Sequence, residues 1–364
     1  MLLRREILTD RKLIYNKEDA RMTKGMAILC MLILHLFCRT GNDVLGTPLI
    51  WLDETTPLVY CFGFFAEICV PIYSLCVGYA QQYMSEQGIL SWKGNLQRIK
   101  KLMINYWIVL VVFCILGLFF DTNHLIPGTL FDFLKSIFLL HSYNGAWWYL
   151  NTYIILLMIP SKILLWPVKK LKCKTGLIVC LLFQIGWYMM TRLEMISIVS
   201  FDMQFLAFVE KEVINLIGII PYVWIGAFIC KGKLVERSNE WLEHHIPVWR
   251  YNMTLMLAGG VLFVLTNLVH KSVLVGVVAI LSFLIFNLLK KPESVKKVFL
   301  FLGKHSTNIW LTHMFFYACL FNGLVTIVKY PLLMLLFMIL LCVVTSYVIM
   351  EIENIMCRIL SRIK

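Results

Sequence analysis

An ionisable side chain at the centre of a bilayer costs at least about 2.5–3.5 kcal/mol on insertion scales, so one found there is a functional candidate. Three such side chains stand inside long apolar runs of this chain: His35, Glu67 and His313. An imidazole titrates near neutrality and can take a proton from a hydroxyl or carry an acyl group itself. His35 follows Lys24 by eleven residues. Eleven residues at 100° each return to within about 20° of the starting direction, about 16 Å further along a helix. A fixed cation at a membrane boundary and a titratable ring near mid-membrane therefore share one helical face. The same pair also fits a blander role, with His35 hydrogen-bonded to a neighbouring helix and Lys24 marking the boundary.

A second basic pair, Arg98 and Lys101, precedes another apolar run, and Arg21 with Lys24 repeats its three-residue spacing. Residues three apart lie on one helical face, where they can hold phosphates or simply anchor the span. Lys304 opens a further run and can extend the basic rim. Glu67 can pair with a histidine or stay neutral and structural, and His313, one helical step after Trp310, serves either chemistry or packing. The pair Trp147–Trp148 reads as part of an interfacial aromatic belt. No P-loop, G-x-S-x-G elbow or H-E-x-x-H motif is present, so ATP hydrolysis, an α/β-hydrolase and a zinc protease have no support.

The elements that must position these residues follow from composition. Of the 364 residues 60% are hydrophobic and 15% charged, with mean hydropathy +0.78. Soluble domains hold roughly 45–50% apolar and about 25% charged residues. Apolar blocks of spanning length predict an all-α, polytopic transmembrane bundle. The net charge of +13 could suggest nucleic acid, but the basic residues sit between apolar blocks, so no nucleic-acid partner is expected. Twelve cysteines without a C-x-x-C pair indicate neither a zinc site nor a disulfide framework, and no metal is expected.

Ten spans are expected near 25–39, 58–83, 102–120, 146–166, 176–190, 214–230, 251–269, 273–289, 305–328 and 331–350. Residues 1–24 form a cytoplasmic arm rather than a removable signal peptide, 25–350 the membrane domain, and 351–364 a cytoplasmic tail. With the first residues inside, 27 of the 34 Lys and Arg fall in inner segments and six in outer ones, which supports both termini being cytoplasmic. The stretch 131–140 could dip into the outer leaflet.

Taken together, these positions and their neighbours resemble the bacterial acyltransferase 3 family of integral membrane enzymes, over most of the chain from Arg21 to about Tyr317. The marks are Lys24 to His35 in the first span, Val70-Pro71-Ile72-Tyr73-Ser74-Leu75-Cys76-Val77-Gly78-Tyr79, and the basic Arg98-Ile99-Lys100-Lys101. Trp148-Tyr149-Leu150, Pro221 to Gly226, and Leu302-Gly303-Lys304-His305-Ser306 continuing to His313 complete the set. Val77 stands where the family has serine, and Lys101 replaces an arginine, leaving a point charge without a bidentate fork.

The resemblance implies an acetyl-CoA or other acyl-CoA donor on the cytoplasmic side. Its acceptor would be a hydroxyl of a surface polysaccharide or lipid-linked glycan, in a bacterial inner membrane and beside polysaccharide synthesis machinery. Arg21, Lys24, Arg98, Lys101 and Lys304 would then hold CoA phosphates, with His35 as base or acyl carrier and Glu67 and His313 assisting. A proton-coupled transporter or flippase of a glycan or acyl intermediate uses the same ingredients, although no inverted repeat of hydropathy is visible.

Overall fold

The computed structural model describes residues 15–38, 45–192, 204–269 and 272–363. Most of the expected N-terminal arm and the centre of the outer segment 193–203 lie outside the described residues. Within them the chain is helical, with no strands. In order come α1 (Lys17–Phe37), α2 (Leu58–Phe65), α3 (Cys69–Glu86), α4 (Trp92–Phe120), α5 (Leu130–Ile137), α6 (Trp148–Met158), α7 (Ser161–Leu164) and α8 (Trp166–Lys170). They are followed by α9 (Cys173–Arg192), α10 (Gln204–Lys231), α11 (Leu234–His245), α12 (Val248–Val269), α13 (Val275–Leu288), α14 (Glu293–Met314) and α15 (Pro331–Ile363).

Seven helical stretches among the described residues are long and apolar enough to span a bilayer: α1, α2 continued by α3, α4, α9, α10, α12 and α15. The fourth expected span is represented by the short α6, which stops before Pro160, and the eighth by α13, which is apolar but short. The ninth shifts: α14 runs from Glu293 to Met314 instead of 305–328. Its early turns carry Lys296, Lys297 and Lys304, which hide it from an apolar window although Pro292 leads into it and the helix is continuous. Beyond it a π-helical turn, Phe315–Cys319, and a 3-10 turn, Val325–Val328, replace the expected helix. At the other end of α15 the helix continues past residue 350 to Ile363.

Local chemistry sets the starts of the helices that matter. Asn16 caps α1, its side-chain oxygen accepting from the amides of Glu18 (2.7 Å) and Asp19 (3.2 Å), while Asp19 reaches back to the Asn16 amide at 2.9 Å. Ser91 caps α4 through the Gly94 amide at 3.1 Å. Between α2 and α3 the chain tightens into a 3-10 turn, Ala66–Ile68, and Pro71 gives the reason. Proline has no N–H to bond the carbonyl four residues back, which belongs to Glu67.

Two close helix crossings organise the bundle. At the first, α1 meets α14: a Cβ on Gly25 would lie 2.1 Å from the Phe299 carbonyl oxygen, and one on Gly303 would lie 2.0 Å from that of Arg21. At the second, α3 meets α10, where a Cβ on Gly78 would lie 1.7 Å from the Val223 carbonyl oxygen. A Cβ on Gly226 would lie 2.0 Å from that of Leu75. Only bare backbone permits such approaches, the means by which membrane helices gain packing without a hydrophobic drive between them. Apolar side chains left outside, such as Phe119 at 77% exposure and Met256 at 67%, form the surface suited to lipid.

Candidate active site

The α1–α14 crossing positions the two histidines. His35 lies ten residues beyond Gly25 on α1, and His313 ten beyond Gly303 on α14. At 1.5 Å per residue both rings stand about 15 Å past the crossing. Two helices held in contact at the glycines thus bring the imidazoles side by side, with centroids 4.9 Å apart and planes inclined at 43°. His313 is fully buried, whereas His35 is half-buried.

The tautomer of His313 follows from its partner. Its Nδ1 lies 2.8 Å from the Trp310 carbonyl oxygen, which can only accept, so in the neutral ring Nδ1 carries the hydrogen. Nε2 is then an acceptor, and it is buried without a hydrogen-bond partner. Trp310 is itself fixed, its indole N–H donating to the Ala146 carbonyl at 3.0 Å. The Leu311 carbonyl accepts from both Asn144 Nδ2 (3.1 Å) and Trp147 Nε1 (3.0 Å). Trp147, expected in an interfacial belt, is therefore a buried brace for the histidine's turn, and only Trp148 remains half-exposed.

A chain of buried polar side chains, none of them singled out by charge, links the neighbouring helices. Asn105 Nδ2 donates to Asn308 Oδ1 at 2.7 Å, Asn308 Nδ2 donates to Ser346 Oγ at 2.9 Å, and Ser346 Oγ lies 2.8 Å from His305 Nδ1. These buried groups tie α4 and α15 to the helix that carries His313. A signal was available, since amides in apolar runs need partners as charges do.

The basic residues lie before the histidines along their helices, Arg21 and Lys24 in the first half of α1 and Lys304 midway along α14, with Arg98 and Lys101 in the early turns of α4. Arg21, Lys24, Arg98, Lys101 and Lys304 are all exposed. Lys24 lies within electrostatic reach of Cys76, and its carbonyl accepts from the Tyr73 hydroxyl at 3.4 Å. Arg98 donates from Nη1 to Asn95 Oδ1 at 2.8 Å. Lys304 turns towards α15, its ammonium 5.9 Å from the centroid of Tyr347. In the link between α13 and α14, the Lys291 ammonium is pushed down to about 8 by burial and by Lys296, with Asp19 opposing. Glu67, half-buried at the 3-10 turn, acts electrostatically on Tyr60, Cys69 and Tyr222.

A buried ring nitrogen without a hydrogen-bond partner, beside a second imidazole, has the chemistry to accept a proton or carry an acyl group. Comparison with known families agrees in outline: a family model described as an acyltransferase domain, that of acyltransferase 3, matches residues 21–351. The chain belongs to the acyltransferase 3 family. The match takes in both histidines and all five basic residues. No curated protein and no solved structure matches the chain. The family and the apolar helices together make this a multi-pass membrane acyltransferase.

Proposed function

We propose that the protein transfers an acyl group, acetyl in the simplest case, from acyl-CoA to a hydroxyl of a surface polysaccharide or its lipid-linked precursor, in a bacterial inner membrane. The observation that carries this reading is the His35–His313 pair, 4.9 Å between centroids, with His313 Nε2 buried and unpartnered. Arg21, Lys24, Arg98 and Lys101, exposed at one end of the bundle, would attract and hold the CoA phosphates, and Lys304 would add to the field. The pantetheine arm would then run between helices towards His35.

In this reading His35 accepts the proton of the incoming hydroxyl as its oxygen attacks the thioester carbonyl. The carbon–sulfur bond breaks, the ester forms, and the CoA thiolate leaves with the proton returned by the imidazolium. His313, its tautomer fixed by the Trp310 carbonyl, would offer its open Nε2 as an acceptor to the imidazolium that forms on His35. Helix packing around the pair limits hydrolysis of the thioester by water. Glu67, at the 3-10 turn between α2 and α3, would assist electrostatically, among others through Tyr60, Cys69 and Tyr222.

The test is chemical incorporation. Purified protein in proteoliposomes, given radiolabelled acetyl-CoA and a surface-glycan extract, should leave label covalently on the glycan. Glycan or acetate crossing the bilayer with no label incorporated would overturn the proposal in favour of transport.

A further inference from the structure

At the end of the bundle away from the basic residues, α6, α9 and α10, with Val273 of the 3-10 turn before α13, line a half-open cavity of about 230 Å³. It lies one turn from Pro221 in α10, which cannot bond the Ile217 carbonyl four residues back. Gln184 of α9 donates to the neighbouring Gly218 carbonyl at 2.9 Å. Trp187, one turn further along α9, lies against the bare backbone of Gly218, where a Cβ would come within 3.1 Å of its Nε1.

The walls combine Trp148, Trp187 and Tyr222 with the polar side chains of Gln184, Thr191 and Asn215. Aromatic faces suit the apolar C–H faces of a sugar ring, and amide groups, both donors and acceptors, suit its hydroxyls. The Asn215 amide nitrogen is buried with no hydrogen bond of standard geometry beyond a loose approach to the Glu212 carboxylate. One turn earlier on the same face, Glu212 accepts from Asn151 at 3.3 Å through one oxygen, and its other oxygen is buried with no bond of standard geometry beyond that approach from Asn215. At about 230 Å³ the half-open cavity has a size suited to a single sugar ring.

The cavity is joined to the histidines by aromatic contacts. Trp148 lies 5.7 Å from Tyr149, and Tyr149 lies 5.9 Å from Trp310, whose carbonyl holds His313. Tyr222, also in the lining, is one of the two tyrosines on which Glu67 acts. We propose that this cavity binds one pyranose unit of the acceptor, on the side of the histidine pair away from the acyl-CoA. This rests on the acyl-transfer reading for the identity of its ligand as an acceptor, but sugar binding itself can be tested without transfer.

The experiment is saturation-transfer NMR on the purified full chain with methyl β-glucopyranoside and methyl N-acetyl-β-glucosaminide as probes. Acetyl-CoA binding is measured by calorimetry on the same samples. Wild type should show saturation of ring protons for at least one glycoside. Trp187→Ala and Asn215→Ala should each weaken glycoside binding about tenfold, and Trp187→Phe should restore most of it. Acetyl-CoA affinity should not change. Glycoside signal absent from wild type, or equal in wild type and both alanine variants, would overturn the subsite. If the variants behave as stated but no acyl transfer occurs with any glycan, the subsite stands and the proposed reaction fails.

Discussion

The α1–α14 crossing makes a quantitative prediction, because the distance between the two imidazoles depends on helices whose closest backbone approach is made at Gly25 and Gly303. In Gly303→Ala the new Cβ would lie 2.0 Å from the Arg21 carbonyl oxygen. Carbon–oxygen contacts settle at about 3.3 Å or more, so the helices must separate by roughly 1.3 Å at that point. The displacement is carried about 15 Å along two helices to rings that now lie 4.9 Å apart. A misplacement of about 1 Å in a catalytic constellation can cost on the order of 100-fold in rate, and Gly303→Ala is expected to lose that much turnover. Gly260→Ala, at a glycine with open space around it, is the matched control. The assay is label transfer from radiolabelled acetyl-CoA by purified, monodisperse protein, with calorimetric acetyl-CoA binding confirming that each variant is folded. A folded Gly303→Ala enzyme with wild-type turnover would refute the claim that this crossing sets the histidine pair.

Further outcomes follow from other contacts. Arg98→Ala should weaken acetyl-CoA binding more at low than at high salt, because screening already reduces the wild-type attraction; equal affinities across salt would remove Arg98 from phosphate binding. Asn308→Leu strands Asn105 Nδ2 and leaves Ser346 Oγ with His305 Nδ1 as its remaining partner. Each unsatisfied group costs about 1–3 kcal/mol, so thermal stability in detergent should fall by several degrees, and an unchanged midpoint would contradict the network. Lys291 titrates near 8 when folded and near 10.5 otherwise, so the unfolded chain binds more protons between those values. Stability should therefore rise with pH over that window, by at most about 1.4 kcal/mol per pH unit. In Lys291→Met this contribution should vanish, and identical pH profiles for the two proteins would contradict it.

The sequence made the helical class and the catalytic candidates legible because membrane burial is expensive for the residues concerned. His35, His313 and the basic pairs stand out against apolar runs, and the rings of the two histidines do meet. The meeting itself was not legible, since it depends on Gly25 and Gly303, which look like any small residues until two backbones are seen in contact. The brace of Trp147 and Asn144 was hidden because a tryptophan near a membrane boundary has an ordinary interfacial explanation. α14 was misplaced by a dozen residues because its first turns are charged, and apolar windows detect lipid contact rather than helix length. The Asn105–Asn308–Ser346 chain escaped because neutral amides carry no charge to flag them.

Single-turnover acyl transfer by His35→Ala, at saturating acetyl-CoA and with acetyl-CoA binding measured in parallel, tests the mechanism most directly. The variant should bind the thioester with wild-type affinity and form no acylated glycan. Transfer at the wild-type rate would show that the paired imidazoles take no part in the chemistry.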